Sequence, residues 1–172
     1  MKTRLFTIAC AAFLGMTGRA TGQDREVVVK VGDSVPGFEV ELFGGGKMTT
    51  GEWRGKVVLL NFWATWCPPC IEEFRRVEKE IIKRFEGRDF LFLAISREDT
   101  REQIEAFREK TGHRFLMGLD PERKIFSKFA SATIPRNFII NKEGKIAYMT
   151  HGYTAKRFDE MVHFIDTLLD VP

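Results

Sequence analysis

The chain has 172 residues, 44% of them hydrophobic and 30% charged, with 27 Lys and Arg against 24 Asp and Glu and three cysteines. Its first 22 residues hold Lys2, Arg4 and Arg19 and no acid, so the remainder sets 24 basic residues against 24 acidic ones and lacks the basic surplus of a nucleic-acid binder. That remainder, roughly 150 residues, suits one domain able to bury about 68–70% of its unfolded surface without disulfide staples.

In chain order, "MKTR" supplies a short basic region, residues 5–16 an apolar run, and Ala20-Thr21-Gly22 small residues before a polar turn. This layout is that of a secretory signal, with cleavage expected between Gly22 and Gln23. The apolar run is shorter than the roughly 18–20 residues that span a bilayer, so an uncleaved membrane tether is the weaker reading. Cys10 has a poor lead-in for lipid attachment and leaves with the signal, so Cys67 and Cys70 are the only thiols of residues 23–172.

Residues 38–43, "FEVELF", alternate as a strand does, and "GGGK" turns the chain. Residues 56–63, "KVVLLNFW", are a nearly continuous apolar run of strand length, which reads as a strand buried on both faces. Pro68 and Pro69 then stop the strand where the first turn of a helix tolerates missing N–H groups. Ile71, Phe74, Val77, Ile81 and Phe85 recur at helical spacing until Gly87. A second buried strand over residues 89–96 follows, then a helix over 100–110 with Ile104 and Phe107 inward. The pattern predicts a short apolar segment over 113–120 and a helix over 121–129 begun by Pro121. Strands over 134–141 and 144–150 are joined by the turn "NKEG", and an apolar stripe from Phe158 to Leu169 marks a closing helix. Helices alternating with strands give an α/β fold, a mixed central sheet covered by helices on both faces.

On that scaffold Cys67 falls at the mouth of a helix and Cys70 one turn inside. Residues i and i+3 share a helix face with Cβ atoms about 5–6 Å apart, and a little tightening brings them to disulfide geometry. The pair can open and close without rearranging the fold. Cys67 meets the unpaired amides and positive dipole end of the helix, which favour its thiolate, so it is the expected attacking sulfur and Cys70 the resolving one. Pro68 and Pro69 offer no N–H to that sulfur, which points to a reducing rather than an oxidising bias. The neighbours close too small a loop to serve as a staple. Structural zinc needs about four ligands, whereas His113, His151 and His163 stand singly. Covalent haem needs histidine after the second cysteine, where Ile71 stands. No metal and no cofactor are therefore expected. An inert pair of thiols remains the bland alternative.

"KVVLLNFWATWCPPC" and "IPRNFIINKEGKI", with this order of helices and strands, resemble the thioredoxin superfamily over roughly residues 30–170. Within it the chain is most similar to the TlpA/ResA-like extracytoplasmic thiol–disulfide oxidoreductases, built on an AhpC/TSA–redoxin type domain. The resemblance implies a thioredoxin-like fold with an N-terminal β-hairpin extension, the nucleophile and resolving roles for Cys67 and Cys70, and a cis-proline at Pro135 facing them. There Pro135 would keep backbone N–H groups from the sulfurs, the main chain of Ile134 would pair with an incoming polypeptide as an added strand, and Trp66 would offer a flat apolar shelf. Trp63 and Phe62 would pack against the sheet. Thioredoxin's buried aspartate is replaced by Asn61, which cannot act as a base, and Glu98 is the acid expected to assist proton transfer. Peroxiredoxins carry threonine where Ala64 stands, so a thiol peroxidase is the weaker enzyme reading, and a redox-inert binding module on the same fold is the third. Implied partners are disulfide-containing proteins, apocytochromes awaiting haem or mispaired secreted proteins, and a membrane electron donor in the periplasm or its equivalent. Cytochrome c biogenesis is the pathway this suggests.

Overall fold

A computed structural model describes residues 26–171; the expected signal segment and its cleavage site lie outside them. Seven strands and three α-helices follow in the order β1 (Glu39–Leu42), β2 (Lys47–Thr49), β3 (Val57–Trp63), α1 (Pro68–Val77), β4 (Phe90–Arg97), α2 (Arg101–Thr111), β5 (Met117–Asp120), β6 (Arg136–Ile140), β7 (Ile146–His151) and α3 (Ala155–Asp170). They form one sheet in the order β2-β1-β5-β4-β3-β6-β7. The pairs β3–β4 and β4–β5 are parallel and the other neighbours antiparallel. Among the described residues no helix is long and apolar enough to cross a membrane.

Every residue of β3 is buried, as its apolar run requires of a central strand. Its side chains alternate between two cores. Val57, Leu59 and Trp63 join Phe74, Ile81, Ile104, Phe107 and Phe158 on one face. Val58, Leu60 and Phe62 join Trp53, Phe126, Phe129 and Phe138 on the other. The Trp63 ring lies 4.9 Å from Phe74 and 4.8 Å from Phe107, and Phe62 lies 5.2 Å from Phe126. Truncating such a buried ring to alanine costs about 3–5 kcal/mol.

Both faces of the sheet are covered, but unequally. The crossovers β3-α1-β4 and β4-α2-β5 step in the same direction across the sheet, so right-handed connection sets both helices on one face. α3 joins them there. The opposite face carries only short 3-10 turns and the segment before β1, including Val29, Val35 and Phe38. The helix expected over 121–129 contracts to a 3-10 turn, Phe126–Lys128. Its cause is local: Arg123 takes a left-handed backbone (φ 58), and the Asp120 carboxylate accepts the N–H of Ile125 and of Phe126 at 3.1 and 2.7 Å. The expected helix through residue 85 keeps its buried face but widens over Glu78–Ile82, where the Lys83 N–H donates to the Glu78 carbonyl.

The N-terminal hairpin β1–β2 joins the sheet through β5, with Leu42 opposite Gly118. A Cβ at Gly118 would stand 2.6 Å from Val40 Cγ2 and 3.3 Å from Ile95 Cγ1. Only glycine lets the hairpin approach this closely.

Candidate active site

β3 delivers the chain to the end of the sheet at Trp63, and four residues later Cys67 is the N-cap of α1. Pro68 and Pro69 occupy the first helical positions, leaving the Cys70 N–H, 3.3 Å away, to donate to Cys67 Sγ. Cys67 and Cys70 are joined by a disulfide with an S–S length of 2.05 Å and Cα atoms 5.3 Å apart. Cys67 is 3% exposed and Cys70 fully buried. Pro68, Pro69 and Trp66 are exposed beside the bridge, and Trp66 at 55% is the one aromatic among the exposed large hydrophobic residues described.

The antiparallel register sets Arg136 of β6 opposite Phe62, so the chain just before β6 lies beside the exit of β3 that leads to Cys67. That chain is Ile134-Pro135, joined by a cis peptide bond. Pro135 is buried and Ile134 half-buried. The Pro135 carbonyl accepts the Gly152 N–H at 2.8 Å.

Glu98 lies elsewhere on the rim, in the loop after β4, with a left-handed backbone (φ 70). Its side chain is 38% exposed, and its carboxylate stands 3.5 Å from Arg97 and 3.6 Å from Arg123. It is held in an arginine cluster. Arg97, 8% exposed, places its guanidinium carbon 5.7 Å from the Trp66 ring centre and 4.7 Å from that of Phe126.

The buried acid of α1 is a different one. Glu73 stands one helical turn beyond Cys70 on the buried stripe Cys70, Glu73, Phe74, Val77 of α1, and it is 3% exposed. Two amides from neighbouring strands hold it. The Asn61 side chain donates to Glu73 Oε2 at 3.1 Å and the Asn137 side chain to Oε1 at 2.7 Å, while Asn61 also donates to Asn137 Oδ1 at 2.7 Å. Asn61 and Asn137 are register partners on β3 and β6. Burial pushes the Glu73 carboxyl up to about 7, and the two amide hydrogen bonds oppose that rise only in part. The site thus pairs a redox-capable sulfur couple with a buried acid able to hold or release a proton near neutrality.

Sequence reasoning passed over Glu73, but signals for it exist. Its spacing from Cys70 and from Val77 puts it on the apolar stripe of the helix. Asn61 interrupts a strand buried on both faces, where a lone amide needs a partner.

Comparison with known proteins agrees with this geometry. Residues 31–149 match the AhpC/TSA family, a span holding the cysteine pair, Glu73 and Pro135. The thiol-disulfide oxidoreductase ResA of Geobacillus thermodenitrificans is 29% identical over 156 residues, covering 91% of this chain and 88% of that protein. A solved structure from Bacteroides thetaiotaomicron, named as a candidate protein disulfide isomerase, is 37% identical and superimposes with a TM-score of 0.79 over 84% of this chain and 92% of its own. A candidate thiol:disulfide interchange protein DsbE from Chlorobium tepidum, 22% identical, shares the fold with a TM-score of 0.73 over 82% of this chain and 99% of its own. The fold is thioredoxin-like, and the chain belongs to the AhpC/TSA family.

Proposed function

We propose that this thiol–disulfide oxidoreductase works outside the cytoplasm and in the reducing direction, breaking disulfides in partner proteins. The observation that carries the reading is the Cys67–Cys70 bridge at the N-terminus of α1, backed one turn deeper by the buried Glu73. In the reduced protein the Cys67 thiolate attacks a partner disulfide, forming a mixed disulfide and releasing one partner sulfur as thiolate. Cys70 gives its proton to Glu73 and attacks Cys67. The second partner sulfur leaves, two electrons have passed to the partner, and the intramolecular bridge is restored. Glu73 suits this step because its proton affinity lies near working pH, where a general base is most effective. In this reading Glu98, paired with two arginines, is a rim residue outside the exchange steps.

Trp66 is the shelf against which the partner chain lies, and Ile134 offers it a backbone edge beside Cys67. The absence of N–H groups on Pro68 and Pro69 supports the reducing direction, since fewer donors stabilise the attacking thiolate than in strong oxidants. Export is inferred from the residues 1–22 pattern. Substrates of the implied class are apocytochromes or mispaired secreted proteins, with a membrane protein returning the electrons.

The test is turnover of a protein disulfide such as that of insulin by the reduced protein, set beside turnover of peroxide. Insulin reduction lost in Cys67→Ser and a mixed disulfide accumulating in Cys70→Ser are the expected results. Peroxide consumption without disulfide reduction would assign the protein to the peroxidases instead, and failure of both would leave a binding module.

A further inference from the structure

The loop between β3 and α1 is held from one side by the exit of β4. Asp99 is fully buried, and its carboxylate accepts the Thr65 N–H and the Thr65 hydroxyl, each at 2.7 Å, together with the Ser96 hydroxyl. A carboxylate sealed from water is costly unless donors surround it, and here two donors come from Thr65 in the β3–α1 loop and the third from Ser96 at the end of β4. Two residues earlier Arg97 is almost as deeply buried, lies over the Trp66 ring, and leaves its Nε without a partner. Between them Glu98 adopts a left-handed backbone, and its N–H donates to the Asp120 carbonyl at 3.2 Å. Non-glycine residues adopt that conformation rarely, and it persists where surrounding structure fixes it. The result is a short, rigid segment that grips Thr65 with one side chain and underlies Trp66 with another.

We propose that Ser96–Asp99 is a seat that holds Trp66 outward as the recognition surface for a protein substrate, with Asp99 and Arg97 its positioning residues. The seat does not touch the reacting sulfurs. It fixes the residue before Cys67, so that an apolar stretch flanking the partner's cysteine meets a preordered ring rather than a mobile one. Holding the ring in place beforehand removes an ordering cost from binding, so the seat acts on substrate capture. This inference rests on the reading of Trp66 as the partner shelf.

Asp99→Asn, Thr65→Val, Thr65→Ser and Trp66→Ala are compared with the unaltered protein in three readouts. These are kcat/KM for insulin reduction, the alkylation rate of reduced Cys67 by iodoacetamide, and time-resolved fluorescence anisotropy. Trp53 and Trp63 are buried, so acrylamide-quenchable emission reports Trp66. Asp99→Asn is expected to lower kcat/KM by about tenfold, the scale of one hydrogen bond to a charged group. The loss should appear mainly in KM, alkylation should stay within about twofold, and the quenchable emission should depolarise faster. Thr65→Val should give a smaller loss of the same kind, and Thr65→Ser should restore it.

A folded Asp99→Asn protein with unaltered kcat/KM and anisotropy would overturn the proposal. So would an equal fall in alkylation, which would mean damage to the sulfur site itself. Should Asp99→Asn fail to fold, the Thr65 pair decides: a Thr65→Val protein equal to wild type overturns the seat. If Trp66→Ala keeps full kcat/KM, the shelf reading fails whatever Asp99→Asn does; if Trp66→Ala falls and Asp99→Asn does not, the seat alone fails.

Discussion

Two glutamates stand at the cysteine end of the sheet in opposite surroundings. Glu98 is partly exposed on the rim between Arg97 and Arg123. Glu73 is buried one helical turn beyond Cys70 and, among the described residues, is held by the neutral amides of Asn61 and Asn137 with no cation paired to it. Glu98 sets its carboxylate against two guanidiniums at 3.5 and 3.6 Å, and its contacts are ion pairs at a partly exposed position. Neutral donors compensate less than a cation would, so burial governs Glu73 and lifts it to about 7. The comparison teaches that being close to the motif matters less than the kind of partner each acid has.

Replacing each acid separately should break this comparison most visibly. Glu73→Gln is expected to slow release of the mixed disulfide at neutral pH by about 10²-fold, the lower range for loss of a general base. Rapid-quench kinetics with a labelled partner disulfide measures it. An equal slowing in Glu98→Gln would reverse the assignment.

The next largest effect concerns stability. The Glu73 carboxyl binds its proton more tightly folded than unfolded, so the stability this adds is fully present below the ordinary value of 4.5. It is lost as pH rises through about 7. The total is roughly 3 kcal/mol. Urea unfolding of the disulfide form at pH 5 and at pH 8 should show that slope in the unaltered protein and a flatter one in Glu73→Gln.

A smaller effect sharpens the part played by the amides. Asn137→Ala removes a hydrogen bond that lowers the Glu73 proton affinity. The acid limb of the rate–pH profile should therefore move to higher pH, by about one unit or less. A shift to lower pH would mean that the amide instead favours the neutral carboxyl. The smallest expected effect is at the rim, where Glu98→Gln should alter stability by no more than about 0.5 kcal/mol, as surface changes do.

The sheet and the sulfur pair were legible because their signals are local. An apolar run such as residues 57–63 fits only a central strand, and two prolines after a cysteine mark a helix start. The 121–129 segment misled because Pro121 opens a helix in pattern while Asp120, through its side chain, captures the amides of Ile125 and Phe126. Glu73 was hidden for a related reason. A carboxyl on a helix beside Glu72 reads as surface charge until the strands bring Asn61 and Asn137, 76 positions apart, against it. Asp99 likewise has its partner Thr65 34 positions away. Long-range polar contacts leave little periodic trace, so the partners of Glu73 and Asp99 emerge only with the fold.

The most direct test is a carboxyl-carbon NMR titration of Glu73 in the disulfide form. The account predicts a midpoint near 7. A midpoint at the ordinary 4.5 would leave Cys70 with only a weak base at neutral pH and would contradict it.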